Sequence, residues 1–76
     1  MVKIIFESWN VGMRKISFTK LLNKKAGLTL QEAKNIKDRL VDNNEIIEVE
    51  IDDEILANEV LKEAEKLNVN GRIENS

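Results

Sequence analysis

From Gly27 to Leu40 the sequence reads GLTLQEAKNIKDRL, and this junction restricts the fold more than any other stretch of the chain. Thr29 and Glu32 have the spacing of a capping box, in which the threonine hydroxyl accepts from the Glu32 amide and the Glu32 carboxylate accepts from the Thr29 amide. Leu28 before the cap and Ala33 after it suit the apolar contact that fixes the angle of entry. Gly27, one place earlier, is the residue expected where a preceding helix ends in left-handed backbone. One helix must stop and the next must start within a few residues. The predicted unit is a helix hairpin with little slack, and the rest of the chain has to be arranged around it.

Seventy-six residues form one predicted domain, 1–76, and a chain this short buries only about 60% of its unfolded surface. With 42% hydrophobic and 34% charged residues it can still build a core, provided that few apolar positions are spent on loops. There is no cysteine, which excludes a disulfide or a thiolate–metal site. There is no histidine, which removes the commonest metal ligand and the usual general base near neutral pH. No apolar run approaches the roughly 18 residues of a membrane span, and the first residues do not have the pattern of a secretion signal. A cytoplasmic monomer is therefore the expectation.

The net charge of −2 conceals an asymmetry. Residues 1–44 carry nine Lys/Arg against four Asp/Glu, whereas residues 45–76 carry three against ten. Between Glu7 and Glu32 there is no acid at all, while Arg14, Lys15, Lys20, Lys24 and Lys25 fall there. A one-sided field of this kind bears on partners rather than on fold, and the first helix is expected to present a cationic face.

The apolar run VKIIFES (2–8) predicts a largely buried strand, followed by a turn over WNVG (9–12). Ile16, Phe18, Leu21, Leu22 and Ala26 give the apolar stripe of a helix over 13–25. Leu30, Ala33, Ile36, Leu40 and Val41 do so for a second helix over 29–41, which DNN (42–44) ends. EIIEVEI (45–51) alternates as a half-exposed strand does. Asp52 or Asp53 then caps a third helix over 53–67 whose buried face is Ile55, Leu56, Val60, Leu61, Ala64 and Leu67. Asn68 suits the left-handed end of that helix, and VNGRIE (69–74) is a last strand with Gly71 at a bulge or turn. The order β-α-α-β-α-β implies an α+β two-layer sandwich, a three-stranded sheet covered by three helices. A crossover through the third helix makes the second and third strands parallel but not adjacent, with the first strand between them and antiparallel to both.

The segment KISFTKLLNKKAGLTLQEAKNIK (15–37) resembles the C-terminal domain of the bacterial ribosomal stalk protein, ribosomal protein seven/twelve. The match is carried by Lys15, Ile16, Lys20, Gly27, Leu28, Leu30, Glu32, Ala33 and Lys34, which align with the family without a gap. The resemblance implies the sandwich above and a role in which the hairpin contacts the GTPase domains of translation factors, chiefly elongation factors G and Tu. Lys15, Ile16, Ser17, Lys20 and Lys34 fall at positions of that contact surface, and Lys24 adds to its charge. Some positions depart from the family. Thr19 replaces an exposed aliphatic residue, Asn23 an arginine, Lys24 a glycine and Thr29 a glycine in the turn. The second strand lacks the family's proline, and the last helix is about one turn longer. These 76 residues hold no counterpart of the stalk protein's dimerisation domain and hinge.

The expected function is thus a non-catalytic protein-interaction module that binds a translational GTPase or another acidic protein surface. Its site is Lys15, Ile16, Ser17, Lys20, Lys24 and Lys34. Two alternatives use the same fold. Nucleic acid binding through the basic helix is opposed by a pI near 5.1 and by the lack of tyrosines or stacking platforms. A ClpS-like proteolytic adaptor needs a substrate-end pocket of acids and histidine that has no counterpart here. Trp9 reads as a cover on the edge of the core more readily than as an interface anchor. The acids Glu48, Glu50, Asp52, Asp53 and Glu54 lack the glycine and distal glutamate of a calcium loop. No nucleophile–base pair is visible, so neither enzyme activity, metal nor cofactor is expected.

Overall fold

The computed structural model describes residues 2–75. Six elements follow in order: β1 (Val2–Trp9), α1 (Lys15–Lys24), α2 (Leu30–Asp42), β2 (Ile47–Ile51), α3 (Glu54–Lys66) and β3 (Val69–Asn75). The sheet order is β2-β1-β3, and β1 runs antiparallel to both neighbours. The fold is the α+β sandwich expected from the element order, with the most apolar strand at its centre.

Strand alternation divides the sheet into two chemically different faces. Val2, Ile4 and Phe6 lie opposite Ile51, Val49 and Ile47 in register and join Phe18, Leu22, Leu40, Val60 and Val69 in a single core. Phe6 and Phe18 meet edge to face with their centroids 5.2 Å apart, a geometry worth about 0.5–1.5 kcal/mol beyond the area it buries. The other face carries Lys3, Glu48, Arg72 and Glu74, with ion pairs Lys3–Glu48 at 3.3 Å and Arg72–Glu74 at 3.0 Å. Ile5, opposite Glu48 and Arg72, is buried outside the core cluster. The aliphatic stems of such long charged side chains are able to cover an isoleucine in this setting.

The hairpin junction forms as the sequence requires. Gly27 has φ +78°, and the Leu28 amide donates to the Leu22 carbonyl at 3.2 Å, the wrapped end of a helix closed by a left-handed residue. Both halves of the capping box are made: Glu32 N–H donates to Thr29 Oγ1 at 3.1 Å and Thr29 N–H to Glu32 Oε1 at 3.0 Å. Helix α2 ends in the same way through Asn44, at φ 54°, with Glu45 N–H donating to the Arg39 carbonyl. That bond, together with Arg39 and Asn43 donating to the Glu45 carboxylate, holds Glu45 at the helix end and delays β2 until Ile47. Asp53 is the cap of α3, accepting from Ile55 N–H at 2.8 Å.

Several expectations need correction. Trp9 is not in the turn: it is the last residue of β1, paired with Val69 and partly buried against the core. The bulge lies in β1 at Glu7, between the pairs Phe6–Gly71 and Ser8–Asn70, and not at Gly71. Helix α1 begins at Lys15, two residues later than expected, because the Met13 amide donates to Asn10 and the Arg14 amide donates to the Leu67 carbonyl. Ile16, Leu30 and Ile55 are 75%, 51% and 72% exposed: Leu30 departs from the apolar stripe expected of α2 and Ile55 from the buried face expected of α3, whereas the exposure of Ile16 accords with its place on the expected contact surface. The core instead takes Ala57 on α3 and leaves those three outside.

Candidate functional site

Two of these three exposed residues share a groove. Ile16 on α1 and Leu30 on α2 face the same groove between the hairpin helices, lined also by Lys15, Thr19, Lys20, Lys34 and Lys37 and about 220 Å³ in volume. Helical spacing explains the assembly. Leu30, Lys34 and Lys37 follow at i, i+4 and i+7 along one side of α2, and Ile16 and Lys20 at i and i+4 along α1. Thr19 forms the floor. It is 7% exposed, and its hydroxyl donates to the Lys15 carbonyl at 3.0 Å.

The electrostatics are those of an unrelieved cationic rim. Among the described residues Lys15, Lys20 and Lys34 make no ion pair, whereas Lys37 is paired with its neighbour Asp38. The acid closest to the hairpin turn, Glu32, is occupied by the capping box. Its hydrogen bonds from the Thr29 backbone and with the Thr29 side chain hold its pKa below the usual glutamate value. Glu45 at the far end of α2 is likewise lowered by its bonds from Arg39 and Asn43.

The structure divides the expected site residues between two grooves. Lys15, Ile16, Lys20 and Lys34 come together between α1 and α2. Ser17 and Lys24 line a second groove between α1 and α3, with Lys20 common to both, and Ser17 also borders an open depression with Lys15 and Ile16. Leu30 and Lys37 were missed as site residues, although their i, i+7 spacing with Lys34 was there to be read.

Two departures from the stalk pattern turn inward. Thr19 supplies the groove floor, and Asn23 is partly buried, donating from Nδ2 to the Leu28 carbonyl at 2.9 Å. Asn23 therefore secures the turn and does not offer a contact to a partner. Among the described residues no group of three or more acids is gathered as a metal ion would require, and no helix is long and apolar enough to cross a membrane. No family model, curated protein or solved structure matches the chain.

Proposed function

We propose that this chain is a non-catalytic protein-interaction module whose hairpin groove docks an acidic protein surface carrying an apolar side chain. The observation that carries the reading is the pairing of two exposed aliphatic residues, Ile16 and Leu30, with three unpaired lysines around one groove. What favours binding over a merely solvated helix face is that Ile16 and Leu30 share one groove within a cationic rim, whereas Val11, Ile46 and Ile55 are exposed outside it and need no explanation. Surface charge pairs contribute only about 0–1 kcal/mol each, so the lysines steer encounter and orientation while the aliphatic pair supplies the contact. Weak binding and fast exchange follow.

The resemblance over residues 15–37 to the ribosomal stalk C-terminal domain supports a translational GTPase, elongation factor G or Tu, as the partner class. Such a partner places the protein in the cytoplasm and lets it act as a monomer. The test is a chemical-shift titration of the labelled protein with each factor. Shifts centred on Lys15, Ile16, Leu30 and Lys34 support the reading. Shifts produced only by DNA or RNA oligomers, and abolished by salt, replace it with phosphate binding.

A further inference from the structure

Helix α1 has a second flank. It packs less closely on α3 than on α2, and a groove of about 420 Å³ lies between α1 and α3. Leu21 and Leu67 are its apolar part, and Lys20, Lys24, Lys25 and Lys66 are its cationic part. The one acid present, Glu63, is already engaged by Lys25 at 3.1 Å, an ion pair that ties α1 to α3. Lys20, Lys24 and Lys66 make no ion pair among the described residues.

We infer that the α1–α3 groove is a second binding site, taking an extended acidic segment of a partner protein in which apolar side chains alternate with carboxylates. Charge complementarity selects the acid: lysines surround the groove and its single carboxylate is neutralised. The apolar lining selects an alternating segment over a purely acidic one, since a leucine-sized side chain reaches Leu21 and Leu67 while its neighbours meet lysines. The groove is open along its length, so it cannot enclose most of a small ligand's surface as a small-molecule site does. An extended chain spreads its contacts along such a trough. Nucleic acid fits less well, because no aromatic side chain lines the groove for a base to stack on. A membrane surface fits less well too, because Leu21 is only 8% exposed and does not project into a bilayer.

The experiment is a titration of the labelled full chain with a short capped peptide alternating leucine and aspartate. Its controls are the same peptide with asparagine for aspartate, an anionic vesicle and a DNA oligomer. The expected result is shifts at Leu21, Lys24, Glu63 and Leu67. Affinity should fall about tenfold in Lys24→Glu, Lys66→Glu, since each reversal exchanges an attraction for a repulsion, and by at least as much for the asparagine peptide. Ser17→Phe, which places a ring in the groove, should abolish binding while the charge variant retains the native spectrum elsewhere. The inference is overturned if the peptide shifts centre on Ile16, Leu30 and Lys34, or if binding survives the charge reversals. It is also overturned if vesicle or DNA binds here more tightly than the peptide, or if the same resonances move with protein concentration alone. Lys66 lies outside both the hairpin groove and the expected contact surface, so Lys66→Glu alone should weaken the peptide and leave factor binding intact.

Discussion

Replacing Gly71 by alanine tests the close approach of β3 to the central strand. Gly71 lies on β3 opposite Phe6, and a Cβ at that position meets the Ile5 carbonyl oxygen at 2.8 Å, Leu61 Cδ1 at 3.2 Å and Phe6 Cδ1 at 3.3 Å. The leucine end can swing aside. The carbonyl cannot, because β1 is paired on both sides and Ile5 is buried. Phe6 is 0% exposed and packed edge-on against Phe18, so its ring has nowhere to go. Overpacking of this kind costs about 1–3 kcal/mol, offset by about 0.4–1 kcal/mol because alanine restricts the unfolded chain. Because the closest contact is with backbone, which cannot yield, the upper half of that cost applies, and the net expectation is a loss of about 1–2 kcal/mol. An unfolding entropy of about 2.1 cal/mol/K per residue gives roughly 0.16 kcal/mol/K for this chain of 76 residues. Tm should therefore fall by roughly 6–12 °C, read by calorimetry or circular dichroism. A double-mutant cycle with Leu61→Ala should recover only a minor part of the loss, since it relieves the contact at 3.2 Å but not the one at 2.8 Å. An unchanged or raised Tm in Gly71→Ala, or full recovery in the cycle, refutes the argument from the Ile5 carbonyl.

Other perturbations separate capping, backbone strain and charge. Thr29→Ala removes the hydroxyl that accepts from Glu32 N–H and should cost about 1 kcal/mol in a denaturant titration; an unchanged midpoint contradicts the capping role. Gly27→Ala meets nothing within 4 Å, yet its φ of +78° makes it strained, so it should cost about 1–2 kcal/mol. Gly27→Asn should cost less, and equal losses for the two would point away from backbone conformation. Glu32 and Glu45 have folded pKa values below the usual one, so their stabilisation is fully present above the ordinary glutamate pKa. It is lost as pH falls through the lowered folded values, because the unfolded state then binds more protons. Denaturant midpoints should decline over that acid range, less steeply in Thr29→Ala, and a flat profile contradicts the assignment.

The parts of the fold that were legible in the sequence are those governed by local chemistry. Gly27, Thr29 and Glu32 place the hairpin because caps and left-handed residues act within a single turn. The apolar run Val2–Phe6 and the alternation of Ile47–Ile51 marked two of the strands, the first because it is buried almost throughout and the second because only one of its faces is. The errors have two physical sources. Ile55 belongs to the expected buried face of α3, yet at 3.6 residues per turn it lies roughly 170° around the helix from the centre of Ala57, Val60 and Ala64. That was readable and was misread. Leu30 is different: it shares the phase of Ala33, yet as the first residue of α2 it escapes burial and reaches the groove instead. The looser packing of α1 on α3, and hence the groove that Ser17 and Lys24 line, depends on how the two helices are set against each other in three dimensions. Spacing along one helix carries no such information.

If the hairpin groove binds an acidic protein surface, both its lysines and its aliphatic pair contribute to the affinity. The most direct measurement is the affinity of elongation factors G and Tu for the native chain, for Lys15→Glu, Lys20→Glu, and for Ile16→Asp, with circular dichroism confirming that each variant is folded. All these side chains are exposed, so the fold should persist. The account expects at least one factor to bind the native chain weakly, with affinity reduced about tenfold or more in both variants. Equal affinity across the three proteins, or tighter binding to nucleic acid than to either factor, contradicts it.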